Sequence, residues 1–188
     1  GAHLFRELTG APMAAVDPRL VEGAERLRDG ARFAGVAGLD LQVLATPGHT
    51  SDSVCFAVDG QTPGLLTGDT ILGRGTTVVA HPDGRLADYL ASLEAIRDLA
   101  AGVSDLVLLP GHGPPGAPVG PAARAYLRHR VERLEQVRAA VAAGARAPHE
   151  VVERVYADVD RSLWPAAELS VRAQLDYLAA GEVSPPGG

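Results

Sequence analysis

Three residues able to ligate a metal occur in the same local setting. His49 closes Pro47-Gly48-His49 after the apolar run 41–46, Asp69 follows Gly68 after 65–67, and His112 closes Pro110-Gly111-His112 after 106–109. Each time an apolar run leads to glycine and then to an imidazole or a carboxylate. Glycine permits a sharp exit from a strand, so the next side chain can turn across the sheet edge. Neutral imidazoles and a carboxylate suit zinc, iron or manganese. The three lie too far apart in sequence for a local finger, so only tertiary folding could gather them. Taken singly, each is also ordinary turn chemistry, and Asp69 before Thr70 can cap a turn through its own backbone.

The surrounding elements must put those ends side by side. Apolar runs at 41–46, 53–58, 65–67 and 106–109 read as short strands, the second and third joined by the turn cluster Asp59-Gly60-Gln61-Thr62-Pro63-Gly64. Helical spacing covers 17–28 and 86–101, the latter through Leu86, Leu90, Leu93, Ile96 and Leu99 up to Gly102. This predicts an α/β or α+β core, and in open α/β sheets ligands gather beyond the carboxyl ends of the strands. Residues 113–121 hold four prolines and three glycines and read as a linker. A long helix follows from Pro121 to Gly144, with Leu127, Val131, Leu134, Val137 and Val141 as its apolar stripe, and further helices open at Pro148 and Pro165. The expected organisation is a first domain at 1–112, a linker at 113–121, a helical domain at 122–183 and a loose tail at 184–188.

The wording of these motifs resembles one family, the metallo-β-lactamase superfamily of metal-dependent hydrolases. Thr46-Pro47-Gly48-His49-Thr50, Thr67-Gly68-Asp69-Thr70 and Leu109-Pro110-Gly111-His112-Gly113-Pro114 are similar to its third, fourth and fifth motifs. The stretch 69–78 (Asp-Thr-Ile-Leu-Gly-Arg-Gly-Thr-Thr-Val) and Tyr126-Leu127-Arg128-His129-Arg130 resemble the β-lactamase-like protein 2 branch, which includes single-strand-specific endoribonucleases. The resemblance implies an αββα sandwich, here its C-terminal half, followed by a small winged-helix-like helical domain. It further implies that His49 binds one divalent metal, His112 another, both expected as Zn2+, and that Asp69 bridges them as the central catalytic carboxylate. In such a site a metal-bridged hydroxide is the nucleophile. The family's pattern also includes an upstream His-x-His-x-Asp-His motif, which these 188 residues do not contain. The metal site is therefore expected to be incomplete in this chain. The complement would come from a missing N-terminal half of a longer enzyme or from a separate chain, and without it an apolar sheet face would be exposed; a homodimer is also among the expected partners.

For substrate, the resemblance implies single-stranded RNA. Residues 122–146 hold six Arg against two Glu, and His129 and Arg130 are the expected phosphate contacts. A solvated helix face explains the same charges equally well. The alternatives are a glyoxalase II-like thioesterase acting on a small ester or thioester, and a binding module with a degenerate metal site. Composition bounds all three. The formal net charge of −6 argues against non-specific nucleic-acid affinity, and all 17 basic residues are Arg. No apolar run approaches a membrane span. Cys55, the one cysteine, is expected as a buried hydrophobe in a cytoplasmic protein. His81 is expected to be structural and His149 exposed.

Overall fold

Strands that share one direction end at one edge, and here that edge is built by topology rather than by sequence proximity. A computed structural model of the chain describes residues 1–36 and 38–181. Its main sheet has the order β3 (Arg32–Val36), β4 (Leu39–Ala45), β5 (Val54–Asp59), β6 (Gly64–Gly68), β7 (Val107–Pro110). The pairs β3–β4, β4–β5 and β5–β6 are antiparallel, and β6–β7 is parallel. Strands β4, β6 and β7 therefore run the same way, and their carboxyl ends carry His49, Asp69 and His112. A parallel pair needs a crossover, which is supplied by an irregular segment from residue 69 to 85 and by α2 (Leu86–Gly102).

Register sorts the two faces of the sheet. Leu44, Cys55, Ala57, Leu65 and Leu108 line the face that packs on Tyr89, Leu93 and Ile96 of α2. The same cluster takes in Val119, Ala123, Tyr126 and Leu134 of α3 (Val119–Ala142) and Ala173 and Tyr177 of α5 (Trp164–Ala179). Cys55 is fully buried, as expected, and burial pushes its thiol above the ordinary range. On the opposite face, register aligns Val43, Phe56, Leu66 and Leu109 in one row, and Leu66 is 40% exposed. A second cluster joins Val137 and Ala140 of α3 to Val151 and Val152 of α4 (Pro148–Val155) and to Val171 of α5.

Two expectations are corrected. The segment 17–28 is not a helix. Asp17 accepts the Arg19 N–H at 3.0 Å and starts a single 3-10 turn at Pro18–Leu20, and Gly23 at φ +71° then turns the chain into the short strand β2 (Glu25–Arg26) beside β1 (Ala14–Ala15). The helix in this region is instead α1 (Ala2–Thr9), none of whose residues is buried. Nor is 113–121 a free linker. Gly116 donates to Leu108 at 2.9 Å, Leu108 to Ala117 at 2.8 Å and Val119 to Leu106 at 3.0 Å, so the Pro/Gly stretch lies along β7 and α3 starts at Val119. The first half of α3 belongs to the sheet's core and its second half to the helical cluster. The loose tail expected at 184–188 lies outside the described residues.

Candidate metal centre

Each strand end is held by a close backbone approach before any functional side chain is placed. Gly48 sits at φ +140°, and a Cβ there would lie 2.3 Å from the Tyr89 Cα, so no other residue fits between β4 and α2. Gly111 donates to the Gly68 carbonyl at 2.8 Å, and a Cβ on it would approach Asp69 Oδ1 to 3.0 Å. Gly73 donates to the His112 carbonyl at 2.8 Å, tying the segment after Asp69 to the loop that carries His112. Beneath them, the buried Thr46 hydroxyl lies 3.2 Å from the Thr70 hydroxyl and 3.3 Å from Cys55 Sγ, linking β4, β5 and the exit of β6.

The three expected ligands come together. His49 Nε2 stands 3.8 Å from Asp69 Oδ2, and His112 Nε2 stands 3.6 Å from Asp69 Oδ1. The two imidazoles thus address different oxygens of one carboxylate. His49 Nδ1 lies 2.7 Å from the Val78 carbonyl. A carbonyl can only accept, so Nδ1 is the donor there, and in the neutral ring Nε2 is then the nitrogen with the lone pair, the tautomer a metal ligand needs. Separations of 3.6 and 3.8 Å are too long for hydrogen bonds. They leave room for a cation about 2.1 Å from each atom. His49, Asp69 and His112 are the donors that would hold divalent cations here, one nitrogen on either side of the carboxylate, and among the described residues no three His, Cys, Asp or Glu side chains form a group that could hold an ion. The His112 side chain is 76% exposed against 26% for His49, so the centre is open on the His112 side.

The neighbourhood of His49 is pinned as well. Ala80 donates to the His49 carbonyl at 3.0 Å. Asp83 accepts the Ser51 hydroxyl at 2.6 Å and its N–H at 3.0 Å, and these bonds hold the carboxyl below the usual carboxylate range.

His129 and Arg130 do not join the centre. Arg130 is corrected from a surface phosphate contact to a buried residue, 3% exposed, with Nη2 donating to the Thr77 carbonyl and its guanidinium 4.9 Å from the centroid of the Tyr89 ring. It projects inward because α3 packs that stripe against α2. His129 is half-buried and lines a polar cleft of about 620 Å3 with Glu132, Arg133, Gln136, Arg154 and Asp158. His81 reaches Asp176 of α5 at 3.0 Å, and His149 is exposed. Sequence reasoning missed Thr77, Tyr89 and Ser170 as supports of the centre. Thr77 lies inside the quoted stretch 69–78, but nothing in its type or spacing marks it.

Comparison with known proteins follows the same lines. Residues 4–112 match the metallo-beta-lactamase superfamily, and residues 147–182 match the beta-lactamase associated winged helix domain. A beta-lactamase-like protein 2 homolog of Drosophila melanogaster is 35% identical over 148 residues, covering 75% of this chain and 46% of that protein. An atrochrysone carboxyl ACP thioesterase of Aspergillus fumigatus is 36% identical over 114 residues, 59% of this chain and 33% of that one. A metallo-beta-lactamase family protein from Thermus thermophilus superposes with a TM-score of 0.71 at 28% identity, over 89% of this chain and 52% of that structure. The chain thus spans about half the length of these relatives or less.

Proposed function

Because the chain belongs to the metallo-beta-lactamase superfamily and carries its associated winged helix domain, we propose that His49, Asp69 and His112 are metal ligands of a hydrolase in which Asp69 bridges two divalent cations. The observation that carries this reading is the placement of the two Nε2 atoms on different oxygens of Asp69, at 3.8 and 3.6 Å. When bound, a cation pair lowers the pKa of water toward ~7 and offsets negative charge developing on the substrate. The chain's own part is positional. The Val78 carbonyl accepts from Nδ1 of His49, which leaves Nε2 as the ring nitrogen that faces Asp69. Gly48 and Gly111 bring the strand ends close enough for one carboxylate to serve both sides. Two donors per ion fall short of the three protein ligands typical of a catalytic site, so the rest of the ligand set belongs to the intact polypeptide or to a partner chain.

The bond cleaved is a phosphodiester of single-stranded RNA. Support comes from the resemblance of residues 69–78 to the β-lactamase-like protein 2 branch and from the exposed Arg124 and Arg128, one helical turn apart on α3. His129 remains a candidate contact. A second reading, thioester hydrolysis, is favoured by the thioesterase-named relative and by the burial of Arg130, which removes one expected phosphate contact. The two are separated by offering the Zn2+- or Mn2+-loaded intact polypeptide a fluorogenic single-stranded RNA and an acyl-N-acetylcysteamine thioester. RNA cleavage that Asp69→Ala abolishes supports the first reading. Turnover of the thioester alone, lost in the same variant, supports the second.

A further inference from the structure

The segment from Thr70 to Val79 contains no helix or strand, yet it follows Asp69 directly and carries the Val78 carbonyl that orients His49. Side chains from three helices hold it. Tyr89 of α2 donates to the Thr70 carbonyl at 2.6 Å. Tyr126 of α3 accepts the Leu72 N–H and donates to the Gly75 carbonyl, both at 2.9 Å. Ser170 of α5 accepts the Val79 N–H at 3.1 Å. Arg130 of α3 donates to the Thr77 carbonyl, and the Thr77 hydroxyl donates in turn to the Asp69 carbonyl. A continuous path of bonds therefore runs from the helical unit to the backbone of the bridging carboxylate.

Arg130 is an expensive residue for mere packing. It is nine-tenths and more buried, it meets a neutral carbonyl and an aromatic face rather than a carboxylate, and its Nε has no hydrogen-bond partner among the described residues. A buried cation without an anionic partner is strongly disfavoured relative to an apolar side chain of its size. Such departures from good packing concentrate where function requires them. We infer that Arg130 is a positioning residue for the metal centre, acting through Thr77 on Asp69, and that the helical unit thereby sets the geometry of the bridging carboxylate as well as flanking the site. This rests on the metal reading above.

The test is made on the intact native polypeptide with Co2+ alone as probe. Affinity is measured by chelator competition, with the thermal midpoint of the metal-free protein recorded alongside. Thr77→Val deletes the hydroxyl but leaves the carbonyl that Arg130 uses, so it keeps the question answerable even if Arg130→Met fails to fold. Each variant should weaken Co2+ binding by roughly 10- to 100-fold, as loss of an outer partner of a ligand does. The double variant should bind no worse than the weaker single, and Arg130→Lys should recover part of the loss. Wild-type affinity in Thr77→Val or in a folded Arg130→Met would overturn the inference, as would additive losses in the double. Wild-type protein that binds Co2+ no better than Asp69→Ala would instead sink the metal reading, and this inference with it.

Discussion

Asp69 has no local substitute, because among the described residues no other acidic side chain stands between the two imidazoles. Asp69→Ala is therefore expected to release both metals, whereas His49→Ala and His112→Ala should each release one; metal analysis of the three purified variants separates these outcomes. The difference follows from the geometry, in which each imidazole faces its own carboxylate oxygen. His129 offers a test by pH. Burial first, then Arg130 and Arg133, depress its pKa below the ordinary 6.5. The unfolded chain then takes up this proton at higher pH than the folded one does. The stability this residue contributes is thus present above about pH 6.5 and is lost as pH falls through the folded midpoint. An NMR titration should place that midpoint below 6.5, and Arg133→Gln should raise it only in part, since burial is the larger cause.

Elements decide how far such residues can be read in advance. The ends of β4, β6 and β7 were legible because an apolar run, glycine and a ligand type repeat together, the helices at 86–102 and 119–142 because their apolar spacing is long, and those at 148–155 and 164–179 because a proline stands in the first turn. The strand β3 was not, since it is short and Gly35 interrupts its alternation, and α1 was missed although Leu4, Phe5 and Leu8 recur at helical spacing, all three exposed. Segment 17–28 misled for the converse reason: helical spacing is present, but the Asp17 side chain and Gly23 turn the chain locally. The supports of the centre were illegible because a side chain bonding to a distant backbone group, as Ser170 and Tyr126 do, leaves no spacing at all. Two substitutions probe this scale. Tyr126→Phe strands the Leu72 N–H and should cost about 1–3 kcal/mol in chemical denaturation. Gly48→Ala drives a methyl into the Tyr89 backbone and should cost at least as much, at roughly 2–3 kcal/mol.

Across the whole molecule the two faces of the sheet have different fates. Helices α2, α3 and α5 seal one, while the other carries the buried Val43, the half-buried Phe56 and Leu109, and Leu66, Phe33 and Leu39, each about two-fifths exposed. Large apolar side chains left exposed on one face bind apolar probes. The folded 188-residue chain should accordingly bind the dye ANS, and Leu66→Ser should reduce the signal; a silent wild-type chain would show the face to be closed. The helical unit is tied to the metal centre as well as packed beside it, because α3 serves both cores and lends Tyr126 and Arg130 to the segment behind Asp69. The proposed reading turns on Asp69 as a carboxylate shared by two cations. Mn2+-loaded intact polypeptide examined by EPR tests it most directly. Two manganese ions per chain with an exchange-coupled signal, both lost in Asp69→Ala, are the predicted result, and an uncoupled signal from a single ion, or one that survives Asp69→Ala, would contradict it.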